Sequence, residues 1–109
     1  MALIHASSGE VIDVRPLGRG LPDAKTTALF KSEDLSVLRV VLTEGQELPA
    51  HQVPGEVTIH CLEGSLVVTC NGTPRTLQSG EMLFLARQTE HSVKAVQAAS
   101  ALVTIALKH

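Results

Sequence analysis

The chain has no tryptophan and no tyrosine, and its phenylalanines are Phe30 and Phe84 alone. That poverty removes the aromatic platforms on which single-stranded nucleic acid stacks. Positive charge is not in excess either. Nine Lys and Arg face 11 Asp and Glu, for a formal net charge of -2 and a pI near 6.2. A basic footprint for nucleic acid is therefore missing, and no nucleic-acid partner is expected. No uninterrupted apolar run is long enough to span a bilayer, so no membrane association is expected. The opening MALIHASSGEV has no basic region followed by a long apolar stretch, unlike a secretory signal. The expectation is a cytoplasmic protein.

Cysteine is scarce as well. Cys61 and Cys70 are too few for a disulfide framework and too far apart for a redox CxxC. If Glu63-Gly64 turns a hairpin, Cys61 lies near the turn and Cys70 near the open end, beyond disulfide reach at roughly 3.3 Å per residue. Both are read as small buried hydrophobes.

What the chain does have is apolar residues and turn signals. Hydrophobic content is 44% and mean hydropathy +0.20, as in an ordered globule. A length of 109 residues makes one domain. Residues 1–34 read as an N-terminal arm, with short strand candidates at Val11 to Val14 and Thr26 to Lys31. Residues 35–109 read as the core. Leu35 to Thr43 is apolar on both faces, which predicts a strand covered on both sides. Arg39 sits in the middle of that strand, so it needs a partner or a rim position. Strands follow at Val57 to Leu62, Ser65 to Cys70, Thr73 to Leu77, Met82 to Ala86, His91 to Val96 and Ala101 to Leu107. Asn71-Gly72 is the sharpest turn signal, because both residues tolerate the positive φ of a type I′ hairpin. No convincing helix appears. Many short strands with Gly-centred turns predict a sandwich or small barrel.

Two stretches carry a more specific message. The first is GQELPAHQVPGEVTIHCLEG, Gly45 to Gly64; the second is GEMLFLARQTEH, Gly80 to His91. Together they resemble the two motifs of the cupin family, G-x5-H-x-H-x3,4-E-x6-G and G-x5-P-x-G-x2-H-x3-N. Gly45, His51 and Gly64 match the first. Gly80 and His91 keep the spacing of the second, with Ala86, Gln88 and Ala95 in place of its Pro, Gly and Asn. The resemblance implies an all-β fold, a cupin-like double-stranded β-helix (jelly-roll) barrel, and a homodimer.

It also implies a divalent metal (Zn, Fe, Mn or Ni) bound by histidines and a glutamate. Here His51 and His91 stand at two of those positions, while Val53 and Val57 occupy the other two. Two neighbours are candidates to replace the missing ligands. Glu56 is one residue from the glutamate position and would turn inward only through a bulge at Pro54-Gly55. His60 alternates with Val57, Ile59 and Cys61, so it is expected to face outward. Val53, Val57 and Cys70 are expected to line the pocket, Cys70 by lying opposite Val57. Three functions stay open. One is a metal-dependent dioxygenase or isomerase acting on a small molecule. Another is a non-catalytic or sensory barrel that binds a small-molecule ligand or a metal. The third is a structural barrel whose role is association. The aliphatic Val53 and Val57 weigh towards binding rather than metal catalysis.

Overall fold

The computed structural model describes residues 5–107. The final residues of the expected core, His109 among them, lie outside the described residues.

Among the described residues, seven strands form one antiparallel system: β1 (Thr27–Lys31), β2 (Leu35–Leu42), β3 (Glu47–His51), β4 (Val57–Cys70), β5 (Thr73–Gln78), β6 (Met82–Leu85) and β7 (His91–Ala106). The two long strands, β4 and β7, pair with each other along most of their length. Each also serves two further neighbours in succession. The first part of β7 pairs with β3 and its last part with β2. The first part of β4 pairs with β6 and its last part with β5. One half of the molecule is therefore β1-β2-β7-β4-β6, and the other is β3-β7-β4-β5. The inner faces of both halves meet in one cluster that includes Leu42, Val57, Ile59 and Cys61 from the first and Leu66, Val68, Leu77 and Val93 from the second. This is the all-β, jelly-roll arrangement that the motifs imply.

Glu63-Gly64 does not turn a hairpin. It lies inside β4, where the register against β7 shifts repeatedly between Cys61 and Leu66. Gly64 has φ +81, the left-handed conformation of a bulge glycine, and a Cβ there would fall 2.1 Å from the carbonyl oxygen of Ala98. A bulge bends and twists a strand without ending it, so both halves are served by one strand. The alanine-rich stretch of β7 is the other side of this corner. Ala95, Ala99 and Ser100 are fully buried there, small enough for the bent backbones to approach. The sequence predicts two strands here, His91 to Val96 and Ala101 to Leu107; the close packing of these small residues joins them into one.

Cys61 and Cys70 thus sit at separate points of one strand, and both are free. Cys70 pairs with His91 and Thr73, not with Val57; Val57 pairs with Leu85 and Ile105. Asn71 and Gly72, with φ 48 and 84, make the expected tight turn between β4 and β5.

The arm is gripped from below. Val11 to Val14 belongs to no strand, and Gly18–Asp23 forms a short 3₁₀ turn that the sequence reading did not foresee. Arg39, 7% exposed, donates to the carbonyl oxygens of Arg15 (3.0 Å) and Asp13 (3.2 Å). The Glu63 carboxylate accepts from the amides of Leu17 (2.9 Å) and Gly18 (3.0 Å). The buried cation of β2 is therefore solvated by the arm of its own chain.

Candidate functional site

His51 ends β3 and His91 opens β7, and the two are direct partners across the ladder. Partners in an antiparallel pair project to the same side of the sheet. Their rings approach to 4.5 Å between centroids, tilted by 50°. They differ in exposure: His91 is 5% exposed and His51 is open to solvent.

Both rings are oriented in the same way. Nδ1 of His51 lies 3.1 Å from the carbonyl oxygen of Pro49, and Nδ1 of His91 lies 3.0 Å from that of Thr89. A carbonyl can only accept, so each Nδ1 carries a proton, and the neutral form of each ring has its free lone pair on Nε2. Backbone carbonyls hold metal-binding or ligand-binding histidines in this way.

The rung extends across β4. Cys70 is the partner of His91 on its other side, so His51, His91 and Cys70 stand in a row. Burial pushes the Cys70 thiol above its ordinary pKa, only partly offset by the charge of Arg75. It is accordingly a neutral, poorly nucleophilic thiol at neutral pH. The next rung inward is Leu48, Val93 and Val68. Behind it lies a small cavity of about 20 Å³, lined by apolar side chains including Leu48, Ile59, Leu66, Val93 and Ala101.

The other candidates are elsewhere. Val53 is half-buried and packs against the core, and its carbonyl accepts from the amide of Gln88 at 3.0 Å. Val57 is buried in the core. Gly55 is pressed against Ala106, where a Cβ would meet the carbonyl oxygen at 1.9 Å. The bend at Pro54-Gly55 leaves Glu56 exposed, and its carbonyl accepts from Ala106. His60 is the partner of Met82 and Leu102 and lies half-buried, alternating with the buried Ile59 and Cys61. Among the described residues, no group of three or more His, Cys, Asp or Glu is placed to hold a metal ion. The chain offers two imidazole nitrogens. They fit an ion whose other donors come from a ligand and do not fit a fully protein-bound centre.

Gln88 has a backbone feature that its place in the motif did not specify. It stands where the second motif has glycine and it keeps a left-handed backbone, φ 57. It ties the turn before His91 to the segment after His51.

The motif spacing and the bent β4–β7 pair agree with comparison to known proteins. The family model for the cupin domain matches residues 38–106, and the chain belongs to that family. Among solved structures, it resembles a Streptococcus pyogenes protein of unknown function, with 21% identity and a TM-score of 0.77 over 100% of this chain and 97% of that one. A cupin superfamily protein from Desulfitobacterium hafniense gives 14% identity and a TM-score of 0.78, covering 99% of this chain and 100% of the other. An RmlC-like cupin from Desulfovibrio desulfuricans gives 29% identity and a TM-score of 0.70, covering 94% and 97%. No curated protein matches.

No helix among the described residues is long and apolar enough to cross a membrane.

Proposed function

We propose that this cupin binds a small molecule at the rung of His51 and His91, with Cys70 beside it. The observation that carries the reading is the shared tautomer. Two adjacent imidazoles both direct their protons into backbone carbonyls and keep Nε2 free. A divalent ion (Zn, Fe, Mn or Ni) held by both Nε2 atoms would act as a Lewis acid with most of its coordination positions open to the ligand. With aliphatic Val53 and Val57 at the remaining motif positions, we read such an ion as entering with its ligand rather than residing permanently.

Elemental analysis of freshly purified protein tests this, with the His51→Ala/His91→Ala double variant as control. The reading expects substoichiometric metal and, after addition of Zn²⁺ or Ni²⁺, weak binding that the double variant loses. Stoichiometric metal that survives dialysis would instead favour a metal-dependent dioxygenase or isomerase. Equal binding to both proteins would remove the histidines from the site.

For assembly, we infer a homodimer. Met82 and Phe84 are 63% and 60% exposed on β6, an unusual load for a chain with so few aromatics. Light scattering on the parent and a Phe84→Asp variant tests this. A monomeric parent would overturn it.

A further inference from the structure

We infer a second binding site, independent of the histidine rung: the cleft between the N-terminal arm and β2 takes a small organic carboxylate, held by Arg39 and Arg15.

The site starts from a buried charge. Arg39 is 7% exposed and alternates along β2 with Val40 and Leu42, which pack into the core, so it lies on the opposite face of the strand. Taking a guanidinium out of water is costly unless it meets an anion or a full set of acceptors. Arg39 meets neither. Two of its five N–H groups are accepted, by the neutral carbonyl oxygens of Arg15 and Asp13. Two carboxylates lie close enough to feel its charge, and both are committed elsewhere. Asp13 forms an ion pair with Arg15 at 2.7 Å. Glu63 accepts from the amides of Leu17 and Gly18 and from the hydroxyl of Ser100. Among the described residues, Arg39 therefore has no counter-ion in contact.

The way to it is open. Arg39 lines a cleft of about 390 Å³ together with Asp13, Arg15, Pro16 and Leu17. The carbonyls of Asp13 and Arg15 turn inward to Arg39, while both side chains stay exposed. An entering group meets one buried guanidinium and a second, exposed one. The Asp13–Arg15 pair is a surface pair, which contributes little, so Arg15 can turn to the incoming head at small cost.

The ligand class follows from these walls. Guanidinium groups only donate, so the head must accept, and the two oxygens of a carboxylate match the planar fork. One negative charge suits the site better than two, because Asp13 and Glu63 already place negative charge beside it. Pro16 and the half-buried Leu17 add an apolar wall, which suits a short hydrocarbon body.

The test is an NMR titration of the arginine Nε–H signals with formate, butyrate, butyramide and inorganic phosphate. Butyrate should shift the Arg39 and Arg15 signals saturably; butyramide, of similar shape without the charge, should not. Asp13→Asn removes a carboxylate that repels the head and competes for Arg15, and it should tighten butyrate at least about threefold. Arg15→Ala should weaken it by a similar factor. Both positions are exposed, so the two variants test the site without disturbing the buried Arg39. The His51→Ala/His91→Ala variant should bind butyrate as the parent does. Equal shifts with butyramide, or Arg39 and Arg15 signals that move no more than those of the other arginines, would overturn the site. So would an unchanged affinity in Asp13→Asn. Phosphate binding more tightly than butyrate would overturn the carboxylate assignment, and formate binding as tightly as butyrate would remove the apolar wall from it. Loss of binding in the histidine double variant would move the anion to the rung and overturn the second site.

Discussion

Ser100, with no exposed surface, donates its hydroxyl to the carboxylate of Glu63 across the corner where β4 and β7 bend. The same carboxylate holds the amides of Leu17 and Gly18. One side chain thus joins the corner of the barrel to the N-terminal arm. Glu63→Ala would strand a buried hydroxyl and release the arm. The expected loss is about 1–3 kcal/mol in urea unfolding, with faster tryptic cleavage after Arg19. Unchanged cleavage would mean that Arg39 alone anchors the arm.

Glu63 also sets a pH dependence. Burial acts to raise its pKa, but the Ser100 hydroxyl, the two amides and the charge of Arg39 outweigh it and hold the carboxyl below its usual range. A depressed folded-state value gives stability that is complete above the unfolded value of about 4.3 and is lost as pH falls through the folded one. Thermal stability should therefore drop on acidification below about pH 4, and Glu63→Gln should be less stable at neutral pH with a shallower acid loss. Parallel pH profiles for the two proteins would exclude Glu63 as a source.

Gly64 and Gly72 separate steric crowding from backbone conformation. Their φ angles are nearly the same, +81 and +84, but only Gly64 has neighbours in the way of a Cβ, with Ala98 oxygen at 2.1 Å and Ala99 Cα at 2.7 Å. Gly72→Ala should cost about 1–2 kcal/mol, the left-handed penalty alone. Gly64→Ala must in addition push two strands apart, so it should leave little folded protein. Equal losses in paired denaturation curves would mean that the corner yields.

Gln88 makes the opposite case, a non-glycine residue at φ 57. Gln88→Gly should relieve the left-handed cost and raise stability by up to about 1 kcal/mol, less the entropy that glycine adds to the unfolded chain. The hydrogen bond from its amide to Val53 is unaffected by the side chain. A lower melting temperature would show that the Gln88 side chain contributes more than its strained backbone costs.

Much of the fold was legible because it depends on local chemistry. Asn71-Gly72 can do little but turn, and alternation at Val57, Ile59 and Cys61 marks an inner face that the structure keeps. Glycine and histidine spacing placed His51 and His91. The fate of Glu63-Gly64 was not legible. A left-handed glycine serves equally well in a hairpin and in a bulge, and only the partner strand decides between them. Cys70 was assigned to the pocket through the wrong neighbour for the same reason. The hairpin that would have set it opposite Val57 does not exist, and β7 sets it beside His91 instead.

The sequence by itself determined an all-β chain, its family motifs, and a site in which two motif positions are aliphatic. These follow from side-chain chemistry and from spacing along one chain. The tertiary structure alone decided that β4 and β7 run unbroken around a corner, that the arm supplies the acceptors for Arg39, and that both imidazoles turn Nε2 away from their backbone carbonyls. Each of these is a choice among partners distant in sequence, and hydrogen-bond satisfaction on burial makes that choice only once the chain has closed.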